Sequence, residues 1–414
     1  MAAELSRRRF VGAGAAAAGA VLLGGCAPLG PSPGSGAGPG STVGAAVGPL
    51  PGIEKPDLTI GFVPITCASP IINAKPLGIY AKHGLNVTLK KFSGWAEVWA
   101  AYATGDIDAT HMLAPMPLAI NEGLASGRMR TRLPLITNTN GQAITLHRKH
   151  FGRVRSAEDM KGFRLGIPFD YSVHNLLLRD YLAAGGVDPD TDLELRVMRP
   201  PDMVANLMTE NIDGYLGPDP FNQRSVVTGS GYLFTLTRDL WNGHPCCSFG
   251  VNDEFAAENP VTYQALTRAI HDAALWSDDA HNRSAAARSM APEQFVNQKP
   301  ELLESVLTGE YSDGTGVKRR VPDRIRFEPY PHEAFGVWML TQFQRWGLAD
   351  ASRWTSADQY SRTVRSVFDA DASSAAFAAL GTRVPAARTS LTVNGRVFDP
   401  ADPTPWTHEL VVTT

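Results

Sequence analysis

Few residues of this sequence could do chemistry: three thiols beyond its N-terminal stretch, scattered histidines and a pair of aspartates beside turn residues. The four cysteines, Cys26, Cys67, Cys246 and Cys247, are too few and too unevenly spaced for a disulfide framework. Thiols and imidazoles are soft donors, so Cys67, Cys246 and Cys247, with His174 as an imidazole partner, would make a soft-metal or thiol-reactive set if the fold gathered them at one pocket. Adjacent cysteines do not easily hold one ion between them, however, and a free cysteine often serves as a small buried apolar residue. Neither a metal nor a cofactor is expected. Asp219 in Gly217-Pro218-Asp219-Pro220, and Asp170, have the side chain for acid–base work, yet turn formation and polar lining account for them as well. There is no nucleophile elbow, P-loop, dinucleotide fingerprint or His-Glu-x-x-His pattern, so nothing here points to an enzyme.

The elements that must position these groups alternate along the chain. Short apolar runs at 58–64, 87–92, 109–113, 164–167, 193–198 and 214–216 read as strands, with helix-length stretches at 71–83, 96–104, 175–184 and 203–211 between them. That order predicts α/β layers on largely parallel sheets. Several helices start straight after a strand, with Ser69 before Pro70, Ser93 before Gly94-Trp95 and Ser172 before Val173-His174 as candidate caps. In an open sheet such turns collect along one edge, where free N–H groups and the helix dipole favour a small anion or the negative end of a polar ligand. Past residue 245 the pattern is predominantly helical, and its Trp276, Phe335, Trp338, Phe343 and Trp346 read as packing.

The N-terminus reads as an address. Ser6-Arg7-Arg8-Arg9-Phe10-Val11 precedes a weakly apolar Ala/Gly run, the layout of an export signal, too short and too lightly hydrophobic for a permanent span. The paired arginines resemble a twin-arginine motif, and Leu23-Gly24-Gly25-Cys26 resembles a lipobox. Residues 1–25 are therefore expected to be removed and Cys26 lipidated, anchoring an extracytoplasmic protein to the cell membrane. The Pro-, Gly- and Ser-rich stretch 26–55 would be a flexible tether, with the folded part starting near Pro56. The segment 384–414 reads as an irregular tail with one turn signal at Asn394-Gly395. A formal net charge of −3 supplies no basic field to attract nucleic acid, and a monomer is expected.

Gly61-Phe62-Val63-Pro64, followed by Ala74-Lys75-Pro76-Leu77-Gly78-Ile79-Tyr80-Ala81-Lys82-His83-Gly84-Leu85-Asn86-Val87, resembles the opening of the nitrate/bicarbonate-binding proteins of ABC importers. The likeness continues through Gly105-Asp106-Ile107-Asp108-Ala109-Thr110-His111-Met112-Leu113, Asn140-Gly141-Gln142, Pro200-Pro201-Asp202-Met203 and His244-Pro245. Sulfonate, taurine and pyrimidine-precursor binders are more distant relatives. The resemblance implies a type II periplasmic-binding-protein fold: lobe one from 57–141 plus 247–383, lobe two from 142–246, and two crossing strands as the hinge. Such lobes close over a small ligand, which the protein would hand to an ABC permease.

The resemblance also implies a pocket. Trp95 matches the family's pocket tryptophan, a flat wall with one N–H. Gln142 matches a pocket amide that can donate and accept, and His174 a pocket histidine at a helix start, held neutral by the dipole. Cys67, just after the first strand, should reach the cleft, and Asp219 would line it; His111 lies in a family motif but suits a hydrogen-bonded core position. Cys247 departs from the pattern. Nitrate binders carry a lysine there, and losing that cation removes a contact worth a few kcal/mol when desolvated. The expected ligand is thus a small polar or anionic solute, nitrate-, nitrite-, bicarbonate- or sulfonate-like. The alternatives are an enzyme or binder of the pyrimidine-precursor (thiamin-related) branch, or a soft-metal-dependent ligand binder.

Overall fold

The computed structural model describes residues 48–124 and 127–408; the export-signal stretch, Cys26 and most of the tether lie outside them. Ten strands, most of them separated by helices, run in the order β1 (Asp57–Phe62), β2 (Asn86–Lys91), β3 (Ala109–Leu113), β4 (Thr131–Asn140), β5 (Gln142–His147), β6 (Arg164–Ile167), β7 (Glu194–Val197), β8 (Gly214–Pro218), β9 (Gly231–Leu236) and β10 (Pro245–Asn252). After them come a hairpin of β11 (Glu310–Ser312) and β12 (Lys318–Arg320), the short β13 (Ile325–Arg326), and a second hairpin of β14 (Leu391–Val393) and β15 (Arg396–Phe398). Two sheets carry the molecule. One has six strands, β13-β4-β10-β3-β1-β2, and the other five, β7-β6-β8-β5-β9. This is the α/β architecture that the alternating pattern predicts.

The expectation of largely parallel sheets is corrected. β1 runs parallel to β2 and β3, and β6 to β7 and β8. β4, β10 and β13 join the first sheet antiparallel, as do β5 and β9 the second. The cause is the path of the chain. β4 leaves the six-stranded sheet and, one residue later, β5 enters the other; β5 and the returning β10 each insert antiparallel between two strands that a helix joins, β8 and β9 in one sheet and β3 and β4 in the other. The single residue between β4 and β5 is Gly141, at φ +86°, where an added Cβ would meet Ile325 Cδ1 at 2.9 Å. Only glycine suits both conditions. The chain returns from β9 through the Thr237–Leu240 helix to β10, and the β11–β12 hairpin reaches the second sheet, where Leu233 N donates to Asp313 O at 2.8 Å.

Leu58, Ile60, Val87, Ala109, Leu135 and Phe249 pack one face of the first sheet against the Pro260–Asp278 helix. A second apolar cluster runs without a break from Phe62, Trp95 and Leu113 to Tyr171, Val173 and Phe221 beside the other sheet. The tether ends sooner than expected. Leu50 and Ile53 pack against the core, and the Glu54 carboxylate accepts from Thr262 N and Thr262 Oγ1, both at 2.8 Å, at the start of the Pro260–Asp278 helix. The tail is also better ordered than an irregular wrap: β14 and β15 turn at Asn394-Gly395, and Leu391, Val393, Phe398 and Trp406 are buried. Among the described residues no helix is long and apolar enough to cross a membrane.

Candidate functional site

The site grows from an irregularity at the start of β10. Its pairing with β4 slips on both sides of Cys247, from Pro245 opposite Thr139, to Cys247 opposite Asn138, to Ser248 opposite Ile136. In a regular strand neighbouring side chains point to opposite faces; a bulge breaks that alternation. The Cys246 and Cys247 sulfurs therefore come within 3.5 Å of each other. Cys67, in the single turn Thr66–Ala68 that follows β1, brings a third sulfur to 3.5 Å from Cys246. All three thiols are free and fully buried, their sulfurs within 4.8 Å of one another. Burial pushes the Cys67 and Cys247 thiols up; burial also opposes ionisation of Cys246, but the two thiols beside it, aided by His174 and His244, hold it well below the ordinary range.

Histidines surround this cluster. His174 is the second residue of the Val173–Ala184 helix, whose start is fixed by Ser172 Oγ accepting from Asn175 N at 3.0 Å. Of the three proposed caps this one forms as expected. Gly94 instead caps the Trp95–Ala103 helix while Ser93 Oγ donates to Glu97, and Ala68 precedes the Ser69–Asn73 helix. His174 and His111 are completely buried, and neither ring has a hydrogen-bond partner among the described residues. Desolvation lowers both to about 4, against the pull of the Cys246 charge, so both are neutral near pH 7. His244 is engaged through Nε2: Thr237 Oγ1 donates to Gln142 O at 3.1 Å and so accepts from His244 Nε2, 2.9 Å away.

Trp95 opens its helix with its indole 1% exposed, and Nε1 has no partner among the described residues. Gln142 opens β5 opposite Pro218; both atoms of its amide are buried and without a partner among the described residues. The Thr137, Thr139 and Ser248 hydroxyls, on the strands beside the crossing, are buried in the same condition. The sequence reading missed these hydroxyls because it missed their strands. Cys67 and Cys247, both expected at the cleft, stand in one cluster with Cys246.

Asp219, expected to line the cleft, is held by an arginine. Its carboxylate receives Arg324 Nε and an Arg324 terminal nitrogen at 3.0 Å, with both side chains fully buried. Burial raises the Asp219 pKa above its ordinary value against the pull of the guanidinium, while the two-pronged geometry is that of an ionised pair. Asp170 is exposed at a turn, where its carbonyl accepts from Asn175 Nδ2. A hollow of about 1190 Å³ opens among Gln223, Tyr311, Lys299 and Arg319, and its walls include none of the buried histidines, thiols, Trp95 or Gln142. It is broad and open to the surface, whereas a small polar solute is best held where donors are fixed and dry.

Two α/β sheets joined by single-residue and short-helix crossings, with unpartnered donors buried beside them, define a protein of the periplasmic-binding-protein class. Residues 52–291 match the NMT1-like family, and the chain belongs to it. It is 31% identical over 376 residues to the nitrate/nitrite binding protein NrtA of Nostoc sp., covering 83% of this chain and 84% of that one. It is 34% identical over 319 residues to the nitrate import ATP-binding protein NrtC of Synechocystis sp., covering 72% of this chain but 47% of that one, so the chain spans about half the length of this relative. The crystal structure of the periplasmic nitrate-binding protein NrtA from Synechocystis superposes with a TM-score of 0.81 at 26% identity, covering 86% of this chain and 98% of that chain. The likeness that the sequence motifs carry to nitrate-binding proteins is thus borne out.

Proposed function

We propose that this chain is the solute-binding component of an ABC importer and that it holds one small polar or anionic solute between its two sheets, contacted by Trp95, Gln142 and His174. The observation that carries the reading is the set of completely buried polar groups on these three residues with no partner among the described residues. Leaving such a group unbonded costs about 1–3 kcal/mol, and a ligand with matching acceptors and donors removes that cost. The buried arginines do not compete for the role, since Arg324 is paired with Asp219 and Arg283 with Asp278. Recognition therefore rests on neutral donors, which suits a monoanion or an uncharged polar solute better than a multiply charged one. The similarity to nitrate-binding proteins supports the same class.

On this reading the chain is exported, cleaved before Cys26, lipidated there, and held outside the cytoplasmic membrane as a monomer serving a permease; it binds without converting its solute. The motif order in residues 1–26 supports that address. The deciding experiment is titration calorimetry and thermal shift of the purified chain against nitrate, nitrite, bicarbonate and alkanesulfonates. One of them should bind with one-to-one saturation, and the shift should vanish in Trp95→Ala and His174→Ala while both variants stay folded. Chemical conversion of any bound solute, or shifts unchanged in both variants, would overturn the assignment.

A further inference from the structure

We propose that Cys67, Cys246 and Cys247 form a three-sulfur site for one soft, thiophilic monovalent cation, for which Cu(I) is the probe. Three observations carry it. The sulfurs already form a triangle with two edges of 3.5 Å and none beyond 4.8 Å. A trigonal ion with metal–sulfur bonds of about 2.3 Å needs edges of about 4.0 Å, so the ion fits with shifts of a few tenths of an ångström. The second is the bulge in β10, which turns two sequence neighbours onto the same point; packing alone needs no such device, because apolar side chains fill a core equally well from alternating faces. The third is that all three thiols are free and completely buried, so that solvent does not compete for their sulfurs.

The donor set fixes the class of ion. Thiolate sulfur selects soft cations such as Cu(I), while Mg and Ca require oxygen donors. Three sulfurs satisfy a trigonal ion completely, whereas Zn would need a fourth ligand. Complete burial keeps water and oxidants from the bound ion, and a site shared by the turn after β1 and the first residues of β10 ties the six-stranded sheet together beside the crossing. The inference does not depend on which solute the cleft takes.

The test uses the full chain carrying Cys26→Ser, so that the three cysteines are its only thiols. Reduced protein is mixed with Cu(I) held by bathocuproine disulfonate, and metal transfer is followed by loss of the chelator colour. The expected result is one copper per chain, a sulfur-only shell of three by X-ray absorption, and a higher melting temperature. Cys67→Ser, Cys246→Ser and Cys247→Ser should each weaken retention at least 100-fold, with circular dichroism showing the fold intact; Cys67→Ala serves where serine disturbs the core. Three titratable thiols with no copper withdrawn from the chelator would overturn the proposal. So would retention that survives in Cys67→Ala/Cys246→Ala, or a cluster found oxidised after purification under reducing conditions. Failure of nitrate or sulfonate binding would leave it untouched.

Discussion

Arg324 grips Asp219 through two nitrogen atoms at 2.9 to 3.0 Å with neither side chain exposed, and the two residues belong to different sheets. Arg324 precedes β13 on the edge of the six-stranded sheet, while Asp219 follows β8 in the five-stranded one. Between them runs the crossing itself: Gly141 N donates to Arg324 O at 2.8 Å, and Asp219 N to Gly141 O at 3.3 Å. Arg324 also donates to Gln223 Oε1 and lies over the Tyr311 ring, 4.1 Å from its centroid. Truncating one member strands the other without a counter-charge, so Arg324→Ala should destabilise the protein by about 3–5 kcal/mol. The double variant Arg324→Met/Asp219→Leu should cost clearly less. Urea unfolding of all three proteins decides this; equal losses in the single and double variants would mean that pairing is not what the site contributes.

Gln142 separates a binding role from a packing role. Because both of its amide atoms are buried without partners among the described residues, Gln142→Leu removes a desolvation cost and should leave the ligand-free protein as stable as before, or up to about 1 kcal/mol more so. The same change should abolish solute binding. A protein destabilised by 2 kcal/mol or more would show that the amide serves the fold.

Acid stability follows from buried imidazoles. His271 is enclosed by Thr267, Ser373 and Phe377, with Nδ1 3.2 Å from Thr267 O and Nε2 3.2 Å from Ser373 Oγ. A carbonyl can only accept, so Nδ1 carries the proton and Nε2 receives the serine hydroxyl. Burial lowers this histidine to about 4 from its ordinary 6.5. The unfolded chain then binds the extra proton between these two values, so stability is complete above about pH 6.5 and falls as the pH drops towards 4. At pH 5 the loss from this one residue is about 2 kcal/mol. His271→Gln, which keeps hydrogen-bonding capacity but cannot titrate, should narrow the stability gap between pH 7.5 and pH 5 by that amount in denaturant titrations; an unchanged gap would contradict the assignment.

The C-terminal hairpin clasps the second sheet. Asp180, on the Val173–Ala184 helix, accepts from Arg345 and Arg396 at 2.5 Å and from Asn394 Nδ2 at 2.6 Å. Three elements distant in sequence thus converge on one carboxylate beside the helix that bears His174. Asp180→Ala should loosen the two halves, enlarging the radius of gyration in small-angle scattering and weakening solute binding roughly tenfold, since a fraction of molecules must first close. An unchanged radius with unchanged affinity would make the clasp irrelevant to closure.

How much was legible depended on where a strand's side chains point. β1, β3, β6 and β8 announce themselves as short apolar runs, since their faces are mostly buried, while the edge strands β2 and β7 show as a polar–apolar alternation. β4, β5, β9 and β10 went unread. Pro134, Thr137, Asn138 and Thr139 in β4, and Pro245, Ser248 and Gly250 in β10, resemble loop chemistry, although most of these side chains are buried. Strands that pass beside a polar site have no reason to be apolar, and so the crossing left little trace in the pattern.

The sequence by itself determined the α/β class, the start of the helix bearing His174 and the likeness to solute-binding proteins, because strand periodicity, a serine cap and short motifs are set by neighbours a few positions apart. Only the tertiary structure decided that Asp219 belongs to Arg324, 105 positions away, and that Cys67 meets Cys246 across 179. It also decided that Cys246 and Cys247 share a direction. Such meetings follow from sheet order and from one slipped register, which no local run of residues encodes.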